Sequence, residues 1–209
     1  MSIALSPQVW HAELWQEHIQ KVAPGHPLAK LLASWNRRAD ADSRAALAYY
    51  FFKTALGQLG RAVDPPVSLT DDDVRNALDK AAARLAEFAP DASFGTLFRV
   101  GRQGAGRTFP VSGGSLVEAG MATPRAINFT KDGNEMVGHS GQSCTQVVVL
   151  TKPPQSWMAL PLGESDHPES GHFDDQAEKL FSRGKLNSTY FLNRKELEKH
   201  VTAKLALEY

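Results

Sequence analysis

The chain has 209 residues, 42% of them hydrophobic and 22% charged, which is the make-up of an ordinary globular protein able to bury a real core. Lys and Arg total 23 and Asp and Glu total 23, so the zero net charge offers no electrostatic case for nucleic acid or an anionic membrane as partner. The single cysteine, Cys144, excludes an intrachain disulfide and a cysteine zinc site, and no apolar run approaches the ~20 residues of a membrane span.

Residues 1–5 carry neither a basic stretch nor a long apolar one and are no signal peptide. The signal of a periplasmic or secreted parent would lie upstream. Val9, Trp10, Leu14, Trp15 and Ile19 have helical spacing over 8–21, and Pro24, Gly25 and Pro27 break that helix. Leu28, Leu31, Leu32 and Trp35 predict a short second helix. Ser43 caps a third over 43–63, with Tyr49, Phe52, Leu56, Leu59 and Val63 on one face, and Pro65 and Pro66 end it. Thr70 caps a fourth, whose first turn holds Asp71, Asp72 and Asp73 at the positive end of the helix dipole. Its stripe is Val74, Leu78, Ala81, Leu85 and Phe88, and Pro90 stops it.

From residue 91 glycines multiply and short apolar runs replace helical stripes. Residues 97–100 form a short strand. Residues 144–150 are the clearest strand, because β-branched side chains dominate them. They are expected to pair antiparallel with 157–161 around Pro153 and Pro154, which cannot continue a ladder. Residues 173–183 form a helix closed by Gly184. Asn193, with Glu196 three residues on, caps a last helix that presents Leu197, Val201 and Leu205 on one face. The expected fold class is α+β, with a helical segment over 1–90 and a mixed portion of strands and helices over 91–209.

Four groups invite a chemical reading. Gly101, Gly104 and Gly106 lack dinucleotide-fingerprint spacing and no helix follows them, so 101–106 is a surface loop. His167 and His172 with Asp166, Asp174 and Asp175 resemble a metal-ligand cluster, yet a polar loop running into a helix N-terminus accounts for them. His139 near Ser140, Ser143 and Cys144 suggests a nucleophile and base, but neighbours on an extended segment rarely meet correctly and no orienting acid is evident. Ser2, exposed by removal of Met1, would offer a hydroxyl beside its own amine.

Two stretches carry more. Residues 31–43, Leu-Leu-Ala-Ser-Trp-Asn-Arg-Arg-Ala-Asp-Ala-Asp-Ser, precede the aromatic run Tyr49-Tyr50-Phe51-Phe52. They resemble a penicillin acylase segment in which a short helix ends at Trp-Asp and Ser opens a long helix, with Asn36 in place of the Asp. Residues 138–143, the two paired strands, and the Ser165-to-Gln176 loop with its Pro168, Ser170, His172, Phe173 and Asp175 resemble that family's C-terminal signature. The 177–184 helix and a strand at Tyr190-Phe191 extend the likeness. The tail resembles the acyl-homoserine-lactone and aculeacin acylase branch more than the penicillin G branch.

The resemblance implies part of an αββα N-terminal-nucleophile hydrolase, made as a precursor and cut into two chains. The serine exposed on the second chain attacks an amide carbonyl and its own α-amine serves as base. In the family these elements lie upstream of the Trp-Asp segment, and Ile3-Ala4-Leu5 after Ser2 does not match the nucleophile's own run. The chain is therefore expected to be the C-terminal part of a second acylase chain, structural in role and inactive alone. It would carry no catalytic, cofactor-binding or metal-ligating residue, and its partner would be the remainder of the acylase. An exposed strand edge is expected to allow self-association. The alternative is a free-standing binding or interaction module built on the same fold.

Overall fold

Helices fill the first part of the chain in the computed structural model, which describes residues 3–102 and 107–206. Helix α1 (Ala12–Val22) buries Ala12, Trp15 and Ile19, three or four residues apart on one face. His11 takes a left-handed φ of 53° just before it. The helix therefore starts later than its apolar pattern implies, and Trp10 and Leu14 stay exposed. Helix α2 (Pro27–Ala33) has proline in its first turn, where the missing N–H costs nothing, and His26 Nδ1 accepts from the Leu28 amide.

Helix α3 (Arg44–Ala55) starts where expected, with Ser43 Oγ accepting from the Ala46 amide at 3.1 Å. It ends eight residues short of the predicted 63, because Gly57 turns left-handed at φ 59° and only a single 3₁₀ turn, Leu59–Arg61, follows. It is buried nearly all round, from Ala45 to Lys53, as befits a helix at the centre of a core. Helix α4 (Asp71–Ala86) packs along it and begins with the reciprocal Thr70–Asp73 capping box.

Lys53 is fully buried on α3. Its Nζ donates to the Ala62 carbonyl at 2.9 Å and sits 3.4 Å from the centre of the Trp15 ring. Trp15 Nε1 donates to the Val63 carbonyl at 2.7 Å, so two side chains strap the 56–64 segment onto the core. Burial pushes the lysine pKa down to about 7, against the opposing pull of the Asp64 carboxylate.

A short helix α5 (Phe94–Leu97) leads directly into β1 (Phe98–Gly101), so the strand begins one residue later than predicted. The main sheet has the order β2-β1-β6-β5, with β2 at Thr108–Pro110, β5 at Ile127–Asp132 and β6 at Glu135–Gly141. Strands β1 and β6 are parallel and the other pairs antiparallel. The β5–β6 hairpin was not expected. Its two-residue turn, Gly133-Asn134, follows Asp132, and Gly133 has φ 57°, which is a turn signal the polar flanks concealed. Strands β3 (Ser115–Leu116) and β4 (Met121–Ala122) make a small separate ladder.

The predicted hairpin is present. Strand β7 (Thr145–Val149) pairs antiparallel with β8 (Gln155–Ala159), in a register from Thr145 opposite Ala159 to Val149 opposite Gln155. Strand β9 (Asn187–Ser188) adds to β8, ahead of the expected Tyr190-Phe191 strand, because Tyr190 and Leu192 both take positive φ. The predicted 173–183 helix shrinks to residues 175–181, wound as a π-helix over Ala177–Phe181. Asn193 caps the last helix as expected, but α6 (Arg194–Leu197) is one turn long with a 3₁₀ turn behind it. Leu197, Val201 and Leu205 stay exposed, which leaves that apolar stripe without the packing a longer helix needs.

The fold is α+β, and one apolar core crosses from the helices into the sheet. Trp15 meets Phe52 edge-on at 6.0 Å and Trp35 lies 4.7 Å from Tyr49. Phe98 of β1 stacks on Phe94 at 4.3 Å and meets Tyr50 and Phe129 edge-on, each at 4.9 Å. Among the described residues no helix is long and apolar enough to cross a membrane.

Candidate functional site

The end of β6 is built by glycine. A Cβ on Gly138 would stand 2.9 Å from Ile127 Cγ2, and one on Gly141, at φ 125°, would run into the Ala126 carbonyl. This close approach, with a register shift between Asn128 and Phe129, turns the strand end over a small pocket of about 160 Å³. Val100, Ile127, Leu162 and Phe181 line it, and Ser140, Gln142 and Ser143 stand at its rim. The Gln142 side chain donates to the Ala4 carbonyl at 2.6 Å, and its Oε1 is buried without a partner among the described residues.

Behind the pocket lies Arg125, only 1% exposed. It donates to the carbonyls of Ser112 and Phe181, and its guanidinium carbon sits 4.5 Å from the centre of the Phe181 ring. Burial pushes its pKa down to about 10. The residue thus pins the π-helix to the turn that precedes β3. Nothing in its sequence neighbourhood marks it, since the burial of an arginine is settled by tertiary packing.

The serines and histidine at this strand end do not assemble a catalytic pair. Ser140 Oγ accepts from Asn128 Nδ2 at 3.0 Å, while His139 and Cys144 are exposed. Ser2 and most of the glycine-rich loop, residues 103–106, lie outside the described residues.

The histidine–aspartate cluster is a loop clasped by arginines. Arg102 donates to the carbonyls of Ser165 and Phe173 at 2.8 and 3.2 Å, pairs with Asp166 at 3.0 Å, and stacks over the Phe173 ring. Arg107 joins the buried Asp174 at 3.3 Å and Glu178 at 3.1 Å. His172 pairs with Asp175 at 3.2 Å, and Gln176 Oε1 accepts from the Leu160 amide at 2.9 Å. The carboxylates thus face arginine and histidine rather than one another. No group of three His, Cys, Asp or Glu able to hold a metal occurs among the described residues.

The order of these parts matches a known family over most of the chain. The penicillin amidase family model covers residues 3–198. The chain belongs to the penicillin amidase family. No curated protein matches it closely enough to add a relative. Within this penicillin amidase chain, residues 31–43 run from the end of α2 through the connection to α3, where Trp35 Nε1 donates to the Arg38 carbonyl and Asn36 Oδ1 accepts from the Arg38 amide. The Asn36 departure from the family's Trp-Asp pair therefore sits in a turn that asparagine closes well.

Proposed function

We propose that the chain is the supporting C-terminal part of the second chain of an N-terminal-nucleophile acylase, which hydrolyses N-acyl amides to a carboxylic acid and an amine. The family supplies the acylase-like hydrolase character. One observation carries the supporting role: the residues that bear the family likeness are engaged in architecture. Trp35 packs on Tyr49, Ser43 caps α3, Asp175 pairs with His172, and Gln176 ties β8 to the π-helix. In this reading the nucleophile, its amine base and the oxyanion donors come from the remainder of the acylase, and this part braces the sheet that holds them.

The purified chain is then expected to show no turnover of N-acyl amides in an assay panel. The tail's likeness to the acyl-homoserine-lactone branch puts N-acyl homoserine lactones first on that panel, followed by phenylacetylated amines. Loss of a nucleophile-and-base set forfeits most of the rate enhancement, so the signal should stay at background. Turnover that Ser2→Ala abolishes would sink the reading and make the chain a minimal enzyme. Activity that emerges only on co-expression with the upstream region of an acylase gene would support it directly.

A further inference from the structure

A groove of about 950 Å³ runs between the C-terminal halves of α3 and α4 and the β5–β6 turn. That volume is at the upper end of pockets that take small organic ligands. Its floor is aromatic and apolar, made by Tyr50, Phe51, Phe88 and Met136. Lys80 and Arg84 stand one turn apart on α4 with Phe88 a turn further, all on one face, while Lys131 belongs to the opposite wall.

The groove's charges are unequally used. Its two carboxylates are both taken: Glu87 pairs with Arg84, and Glu135 is held by Arg99 at 3.0 Å and the Thr108 hydroxyl at 2.7 Å. Arg84 also spreads over the rings of Phe51 and Phe88, at 5.8 and 5.5 Å from their centres. The ammonium groups of Lys80 and Lys131 and the hydroxyl of half-buried Tyr50 have no ion pair or hydrogen bond among the described residues. What remains unused is therefore donors and positive charge, above an apolar floor.

We propose that this groove binds an amphipathic carboxylate. Its aliphatic or aromatic body lies on Tyr50, Phe51 and Phe88, and its head is held by Arg84 and the free lysines. A cationic ligand would meet unpaired ammoniums, and a fully polar anion would leave the aromatic floor wet. An acidic partner protein is the rival occupant, and the pocket-sized volume of about 950 Å³ favours the small ligand.

The test is calorimetric titration of the full chain with decanoate, beside decanol as the uncharged body. Decanoate should bind saturably at one site and more tightly than decanol. The Lys80→Gln/Lys131→Gln pair should weaken it about tenfold, as expected for two exposed charge contacts of up to about 1 kcal/mol each. Tyr50→Phe should weaken it less, with the melting temperature of both variants unchanged. No saturable binding, equal binding of decanol, or binding indifferent to the lysine changes would overturn the proposal. The experiment involves no turnover, so its failure leaves the acylase reading where it stood.

Discussion

Lys53→Met is expected to abolish a pH-dependent gain in stability that the native chain shows between about pH 7 and about pH 10. In the folded state burial holds the lysine pKa at about 7, whereas in the unfolded chain it titrates near about 10.4. Between those values the unfolded chain binds the proton and the folded chain does not, so stability rises with pH across that window. Below about pH 7 the lysine is protonated in both states and adds no slope. The full span corresponds to about 5 kcal/mol, at about 1.4 kcal/mol per unit. Above about pH 10 the trend reverses. Burial raises the phenol pKa values of Tyr49 and Tyr50 in the folded state, so the unfolded chain ionises first and stability falls. Urea unfolding at several pH values reads this out. Parallel pH profiles for native protein and Lys53→Met would show that the amine is not the titrating group.

Phe98→Ala should lose about 3–5 kcal/mol of unfolding free energy, the range for emptying a fully buried aromatic site. Phe98 touches Phe94, Tyr50 and Phe129, which places it between the helical layer and the sheet. Its neighbours are large rings fixed by one another, so the site collapses poorly and the upper half of the range is expected. Denaturant titration followed by far-UV circular dichroism measures it. A loss below about 1.5 kcal/mol would mean that the aromatic bridge is not what couples the layers.

The features legible in the sequence were those with local causes. Ser43, Thr70 and Asn193 cap helices as read, because a cap needs only a hydroxyl or amide and a free N–H nearby. The β7–β8 hairpin was legible from its β-branched run and its prolines. Features settled by distant contacts were not. The stripe from Leu56 to Val63 looks helical, but Gly57 and the pull of Lys53 on Ala62 turn it into a strapped loop. The stripe from Leu197 to Leu205 is periodic, yet it stays exposed among the described residues. At the β6 end the sequence placed the right residues together and the structure gives them to the sheet: Ser140 bonds Asn128, not His139. Arg125 gave no signal, since its partners Ser112 and Phe181 lie in remote segments.

The parallel contact between β1 and β6 has a kinetic consequence. Antiparallel neighbours such as β5 and β6 meet through a tight turn, and α3 and α4 are separated only by the 56–70 segment. Strand β1 can meet β6 only after β2, the β3–β4 ladder and β5 have all been traversed. Closing that long loop delays the reward of its contacts. The helical pair is therefore expected to form early and the central strand pairing late. Substitutions such as Leu78→Ala in α4 should slow refolding, while Val137→Ala in β6 should mainly speed unfolding. Stopped-flow kinetics of the two variants would reveal a reversed pattern if the sheet forms first. A chain emerging from the ribosome would then hold its helices packed while the edge of β1 still waits for its partner.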